Sequence, residues 1–421
     1  MVKVVRLQII RPMDIDWNKF GDILYSLEKE TRYVKNKTLS LYNDWTNYSL
    51  DVYNKTGKYP NLNEEHGYKI FSSWAYDIIK NNVKYINMSN YITSIRSICV
   101  TYDTHKKEII SGKTAVPNCN NNQPIDLHNK SIKINADNND YYVTLSLLSN
   151  NGKKEFDLPK GQISVVLKAN DKSSKDILDR CLSGSYKICG SQIIKKNNKR
   201  FLNLSYNFEP EKQDLDSERV MGIDLGVAIP VYMAYNYSNK LRDNICDNRI
   251  IQRKIMMDKE LGFRKKECKF TNDGHGRKNK MRVYNRYGNH SHNYSQTVNH
   301  KWSKYIVEQA VKNHCATIQM EDLSGINSRS KFLKSWTYYD LQTKIEYKAK
   351  EKGIEVKKIK PKYTSQRCSE CGYIDKENRP EQKVFKCLKC GYEANADFNA
   401  ARNISTPDID KIIEKDLKLS D

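Results

Sequence analysis

Four cysteines stand out first: Cys368-Ser-Glu-Cys371-Gly and Cys387-Leu-Lys-Cys390-Gly are two CxxC pairs with 15 residues between them. Each pair offers two thiolates from adjacent backbone positions, and four thiolates make the closed tetrahedral set that zinc takes. A glycine after each second cysteine allows the tight turn that aims backbone amides at the sulfurs. A redox dithiol needs only one such pair. The spacing therefore predicts one structural Zn²⁺ with no open coordination position, folding a small module over residues 363–396. The other seven cysteines, at 99, 119, 181, 189, 246, 268 and 315, lack this spacing and read as packing residues. An odd total of 11 argues against a disulfide framework and fits a reducing cytoplasm.

Three acids form a second candidate site. Asp224 sits inside the apolar run Met221-Gly-Ile-Asp-Leu-Gly-Val227, where a carboxylate is poor for strand formation and costly to bury unpaired. It reads either as a strand-end or turn residue or as a metal ligand. Glu321 directly follows the apolar strand Ala-Thr-Ile-Gln-Met at 316–320, and open α/β sheets bind ligands at the carboxyl ends of strands. Asp397 shares one helical face with Ala401 and Ile404, while Ala396, Ala400 and Ala401 would let that helix approach a sheet closely. The alternative for Asp397 is an exposed first-turn acid favoured by the helix dipole. Together the three have the layout of a two-metal phosphoryl-transfer site, with two Mg²⁺ ions about 3.5–4 Å apart. That chemistry needs no histidine, and none of the eight here is placed with the acids.

The charge balance says what such a site would act on. Seventy-two Lys and Arg against 50 Asp and Glu leave a net charge of +22 over 421 residues. This favours a polyanion, nucleic acid ahead of an anionic membrane surface. No apolar run approaches the roughly 18–20 residues of a membrane span, and Met1–Pro12 reads as a strand and not a secretory signal. Residues 251–290 hold twelve Lys or Arg against four acids. Arg264, Lys265, Lys266, Arg277 and Lys278 are interleaved there with Phe263, Tyr284 and Tyr287. Such basic groups track phosphates while aromatics stack on unpaired bases; the alternative is a solvated basic loop.

The elements that must carry these residues fall into two halves. A β-branched run at 2–10 is followed by helical stretches: one entered through Asp14 or Asp16 with Trp17, Phe20, Leu24, Leu27 and Val34 on one face, one with Phe71, Trp74 and Ile78, and one with Ile92, Ile95, Cys99 and Tyr102. Strand patterns resume at 131–135, 141–148, 162–168, 191–196 and 201–208, separated by Asn/Asp/Gly/Lys turns. The first half thus predicts a β-barrel (1–15 and 113–210) split by a helical insertion (16–112). A polar, acidic linker at 211–218 leads to an α/β domain over 219–421. Its pattern is strand, strand, a basic irregular region, a helix at 303–312, a strand at 317–320, a helix and a strand at 354–359.

The motif GIDLGV, the segment QMEDL and the run TSQRCSECG…FKCLKCGYEANADFNAARNI resemble the RuvC-type nuclease half shared by TnpB proteins and type V CRISPR effectors. The opening VKVVRLQIIRPMDIDW and the segment SWTYYDLQTKIEYKA extend the resemblance to the miniature V-F effectors, Cas-twelve-f. The resemblance implies a multidomain α/β protein: a wedge-like N-terminal β-barrel with a helical recognition insertion, then a RuvC-like RNase H fold with an inserted zinc-ribbon module that binds target nucleic acid. It implies an RNA-guided, Mg²⁺-dependent DNA endonuclease in a prokaryotic cytoplasm. Asp224, Glu321 and Asp397 would hold the metal, and Arg379 would reach the scissile phosphate. The implied partners are a guide RNA, a double-stranded DNA target with a short flanking motif, and a second copy of the chain on the same guide, with Trp74 and Tyr76 as candidate contacts. The alternatives are a transposon-encoded TnpB nuclease and a regulator that has lost cleavage.

Overall fold

In the computed structural model the β-branched N-terminal run forms β1 (Val2–Pro12), the centre of an antiparallel sheet. The structure describes the chain apart from residues 138–139, 211–212, 227–228, 270–276, 324–337 and 419–421, and describes the backbone alone at 269, 277–280 and 418. It divides into two compact units, Met1–Phe208 and Glu209–Asp421, each mixing helices with sheet.

In the first unit β1 is joined by β2 (Ile125–Leu127), β3 (Ile132–Asp137), β4 (Asp140–Ser146), β5 (Gln162–Lys168), β6 (Lys187–Ile188), β7 (Ser191–Lys196) and β8 (Lys199–Asn207). The order is β2-β7-β8-β1-β5-β4-β3, with β6 on β8. Among the described residues no pairing joins β2 to β3, so the hydrogen-bonded path has two ends. The helices are α1 (Trp17–Thr56), α2 (Leu62–His66), α3 (Phe71–Ile79), α4 (Met88–Ile110), α5 (Asn150–Glu155) and α6 (Lys172–Leu182). Asp16 caps α1 by accepting from the Lys19 amide at 2.8 Å, and Gly57 ends it at φ 71°. Phe20, Leu24, Leu27 and Val34 are buried, whereas Trp17, on the first turn, stays 45% exposed. Two buried ion pairs, Lys35–Asp126 at 2.7 Å and Arg200–Glu28, tie α1 to the sheet. Such pairs fix a register more than they add stability. Trp74 stacks on His66 with ring centroids 4.2 Å apart, and Tyr76 packs on Tyr91 at 4.9 Å. Ile78 faces solvent.

The second unit holds a five-stranded sheet: β9 (Asp216–Asp224), β10 (Val231–Tyr235), β11 (Ser238–Ile245), β12 (Cys315–Glu321) and β13 (Glu355–Ile359). The order is β11-β10-β9-β12-β13, antiparallel through the first three and parallel from β9 to β13. A separate hairpin pairs β14 (Val384–Lys386) with β15 (Glu393–Asn395). The helices are α7 (Asn248–Lys269), α8 (Arg277–Lys312), α9 (Tyr338–Glu351), α10 (Ala396–Ser405) and α11 (Ile409–Lys418). Met221, Ile223, Ile318 and Met320 form one core with Trp302, Ile306 and Ala310 of α8 and Leu341 and Ile345 of α9.

The basic region expected to be irregular between Tyr235 and Ser303 instead carries β11, α7 and most of α8. Lys, Arg, Gln and Met favour helix, but no apolar stripe marks these two helices because part of the seam between them is polar. Lys254 is buried there, 2.6 Å from the Asp258 carboxylate and 3.0 Å from the Ser291 hydroxyl. No helix among the described residues is long and apolar enough to cross a membrane.

Candidate active site

Two of the three acids end neighbouring strands. Side chains alternate along a strand, so Gly222 and Asp224 share the face of β9 opposite to Met221 and Ile223. The parallel register that pairs Met320 with Ile223 brings Glu321 level with Asp224 at the carboxyl ends of β12 and β9. Asp397 comes from the first turn of α10, which packs over β9 and β10 through Phe398 and Ala401 against Tyr232 and Ala234. The Asn395 side chain caps that helix, accepting from the amides of Asp397 at 3.0 Å and Phe398 at 3.1 Å. Asp397 is only 8% exposed, which excludes the solvated first-turn alternative.

The close approach of α10 depends on Gly222. A Cβ there would stand 2.2 Å from the Ser405 amide nitrogen and 2.3 Å from the Ala401 carbonyl oxygen. The sequence reading singled out the alanines of α10 and passed over this glycine. A glycine two residues before an acid, inside an otherwise apolar strand, was the available signal.

The acids sense one another. Burial, followed by the charges of Glu321 and Asp397, pushes the Asp224 carboxyl well above the ordinary range, and Arg379 partly offsets this. Asp224 nonetheless keeps a partly open edge. Burial raises Glu321, opposed by a hydrogen bond donated from the Thr364 hydroxyl. Burial also raises Asp397, opposed by Arg379 and Lys383. The Glu321 backbone carbonyl accepts from Gln342 Nε2 at 2.6 Å. Three desolvated carboxylates with Arg379 and Lys383 close by form a cluster short of positive charge, a setting that a divalent cation would suit. Arg379 lies 3.5 Å from Asp397 Oδ1 and donates through Nη2 and Nε to the Gln382 carbonyl at 2.6 and 3.2 Å.

The four cysteines gather independently of the acids. Their sulfurs all lie within 4.8 Å of one another, with Cys371–Cys387 at 3.5 Å and Cys368–Cys390 at 3.7 Å. Among the described residues this is the one set of three or more metal-type side chains gathered so closely. Gly372 and Gly391 adopt φ of 78° and 74°, closing both knuckles with amide-to-carbonyl bonds of 3.0 Å back to Cys368 and Cys387. Burial lifts the Cys368 thiol to about 12. Cys387, despite burial, falls to about 7 because the Cys390 and Lys389 amides donate to it. The cluster has the geometry to hold a metal ion.

The proposed nucleic-acid contacts are not equivalent. Arg264 is engaged by Glu260 at 2.7 Å and lies over the Tyr287 ring at 5.2 Å. Lys265 and Lys266 are exposed on α7 beside Phe263, itself 66% exposed. Arg277 and Lys278 begin α8, but their side chains, like Val227 and residues 335–337, lie outside the described residues.

Comparison with known proteins gives these residues a context. The family model described as "Cas12f1-like, TNB domain" matches residues 338–404, which include Asp397 and all four cysteines. The chain is 44% identical over 428 residues to the CRISPR-associated endodeoxyribonuclease Cas12f1 of Sulfoacidibacillus thermotolerans, covering 99% of this chain and 100% of that one. It is 40% identical over 341 residues to the protein of the same description from Syntrophomonas palmitatica, covering 70% and 68%. Among solved structures, the Cas12f1 chain of a Cas12f1–sgRNA–target DNA complex shares the fold with a TM-score of 0.77 at 20% identity, over 97% of this chain and 99% of that one.

Proposed function

This chain belongs to the Cas12f1 family of CRISPR-associated endodeoxyribonucleases and is an RNA-guided DNA endonuclease; we propose that it hydrolyses target DNA at Asp224, Glu321 and Asp397. The observation that carries this assignment is geometric: the parallel register sets Glu321 level with Asp224, and the helix bearing Asp397 packs over β9. Three acids from three separated elements are near enough for Glu321 and Asp397 to raise the Asp224 carboxyl. The strand order, with three antiparallel strands followed by two parallel to the first, supports a RuvC-like RNase H fold. The sheet of the first unit would serve as the wedge, its barrel-like part, with the helices of 16–112 as the recognition insertion.

All three donors are hard carboxylate oxygens, which suits Mg²⁺ over softer ions. A bound Mg²⁺ pair would activate the attacking water and stabilise the leaving oxygen. The chain's own part is to hold the carboxylates desolvated and fixed. Arg379 balances their charge and offers a guanidinium suited to a phosphate oxygen. The cysteine set supports one structural Zn²⁺. Bonds of about 2.3 Å in a tetrahedron put sulfurs about 3.8 Å apart, close to the Cys371–Cys387 and Cys368–Cys390 separations of 3.5 and 3.7 Å.

The partners would be a guide RNA and a double-stranded DNA carrying a short flanking motif, with base pairing reading the rest of the target. Lys265, Lys266, Arg277 and Lys278 would contact phosphates, with Arg264 ordering α7 from beside them. A recognition half of about 210 residues is on the order of 40–45 Å wide, whereas a 20-pair hybrid reaches up to ~68 Å. We therefore propose two chains on one guide RNA in a prokaryotic cytoplasm. Trp74 and Tyr76, the candidate contacts, pack on His66 and Tyr91 within their own unit and stay half-buried. Light scattering giving one chain per RNA in a particle that still cuts would exclude the dimer.

The full-length CRISPR-associated relative favours this assignment over a TnpB nuclease, and sequencing the co-purified RNA separates the two. Asp224→Ala tests the site. Cleavage should fall at least about 10³-fold, in line with several kcal/mol of charge stabilisation, while guide and target binding persist. Cleavage within tenfold of wild type at saturating Mg²⁺ would refute the assignment.

A further inference from the structure

The run Thr364-Ser-Gln-Arg367 and the asparagines of α10 have no part in the acid or cysteine sets, yet they connect them. Thr364 is 1% exposed, and its hydroxyl donates to Glu321 Oε1. Its carbonyl accepts from Asn403 Nδ2 at 2.9 Å. That same amide also donates to the Arg367 carbonyl at 2.6 Å, while Asn403 Oδ1 accepts from Arg367 Nη1 at 2.9 Å. One turn earlier, Asn399 Nδ2 donates to the Arg367 carbonyl at 2.8 Å, and its Oδ1 accepts from the amide of Ser369, inside the first knuckle, at 2.9 Å. Both asparagines are fully buried with their amide groups engaged. The helix that carries Asp397 therefore grips the 364–369 strap, and the strap ends on Glu321 at one side and Cys368 at the other.

We propose that Thr364 is a positioning residue for cation binding. By occupying one oxygen of Glu321 it fixes the orientation of that carboxylate beside Asp224. Asn403 and Asn399 hold the strap and so link that position to the cysteine module. A hydroxyl donated to a carboxylate removes a rotamer the side chain would otherwise sample, leaving the second oxygen directed for a cation. The proposal rests on Glu321 being a cation ligand.

The test uses the full chain with guide RNA and target DNA, comparing Thr364→Val, Thr364→Ser and Glu321→Gln. Mn²⁺ binding is measured by electron paramagnetic resonance, and the Mg²⁺ concentration for half-maximal cleavage is measured alongside. Glu321→Gln should abolish cleavage; if it does not, the site assignment fails first. With that satisfied, Thr364→Val should weaken Mn²⁺ binding and raise the Mg²⁺ requirement by roughly tenfold, the scale of one hydrogen bond to a charged group. Zinc content and RNA affinity should be unchanged, and Thr364→Ser should return both cation readouts to within about twofold. Wild-type cation dependence in Thr364→Val would overturn the proposal, as would a serine variant as weak as the valine one. If the valine variant fails to retain zinc, Thr364→Ala against Thr364→Ser decides by the same two outcomes.

Discussion

The second unit contains two candidate metal sites assembled in opposite ways. The cysteine site is local: two knuckles, closed by Gly372 and Gly391 in left-handed conformation, bring four sulfurs within 4.8 Å over a span of 23 residues. The acid site is global. Its members come from β9, β12 and α10, and strand order and helix packing alone bring them together. The sulfur geometry is held by short-range turns. The acid geometry is held by the whole sheet and carries an electrostatic cost, since burial and neighbouring charge raise Asp224. A site written into local spacing can be read directly from sequence; for a site written into topology the sequence offers the residues, and the fold supplies the contacts that hold them.

Breaking the local site should have the larger effect on folding. Cys371→Ser, or chelation, should release about one zinc per chain and unfold the 363–396 module, because thiolate coordination supplies most of such a module's folding energy. Metal analysis with circular dichroism checks this, and a folded, active, zinc-free protein would contradict it. Next in size is Gly222→Ala, aimed at the topological site. The added methyl meets backbone atoms at 2.2 and 2.3 Å, so α10 must move away from β9. We expect about 1–3 kcal/mol of lost stability from overpacking, and a loss of cleavage that exceeds the loss of DNA binding because Asp397 moves with the helix. A thermal melt and a paired cleavage and binding assay separate these.

The contrast between the sites extends to pH. All three carboxyls are raised in the folded state, so the metal-free fold binds more protons than the unfolded chain. Its stability then falls as pH rises from the ordinary carboxylate range near about 4 through the raised values. Mg²⁺ should offset this penalty, raising Tm more at about pH 8 than at about pH 5. Equal Mg²⁺ shifts at the two pH values would show that the acids do not share the cation. The smallest effect is expected at the surface. Lys265→Ala and Lys266→Ala should each weaken nucleic-acid binding modestly and lower the salt slope by about 1. Arg264→Ala should disturb α7 more than the slope, because Glu260 already engages its guanidinium.

The same division explains what the sequence revealed. The Asp16 cap, the strand at 162–168 and both CxxC knuckles depend on neighbours in the chain, and each was legible. The acids were legible as residue types at strand and helix ends. Their shared layout was expected, but the contacts that create it were not legible, because they depend on β12 pairing parallel to β9, with 96 residues between Ile223 and its partner Met320, and on Gly222 admitting α10. Helix α7 and the part of α8 before Ser303 escaped because their seam buries Lys254 beside Ser291 where an apolar stripe was sought. Strand β2 escaped because three residues are too few to show a period. Thr364 carried no signal of its own, since a threonine near a cysteine is unremarkable until the fold sets it against Glu321.

The central claim, that three acids from separate elements form one divalent-cation site, is tested most directly by locating the ion. Anomalous scattering from Mn²⁺ in crystals of the chain with guide RNA and target DNA should show density bounded by the carboxylates of Asp224, Glu321 and Asp397, distinct from a zinc signal at Cys368, Cys371, Cys387 and Cys390. Manganese bound elsewhere, with no ion touching those three carboxylates, would contradict the account.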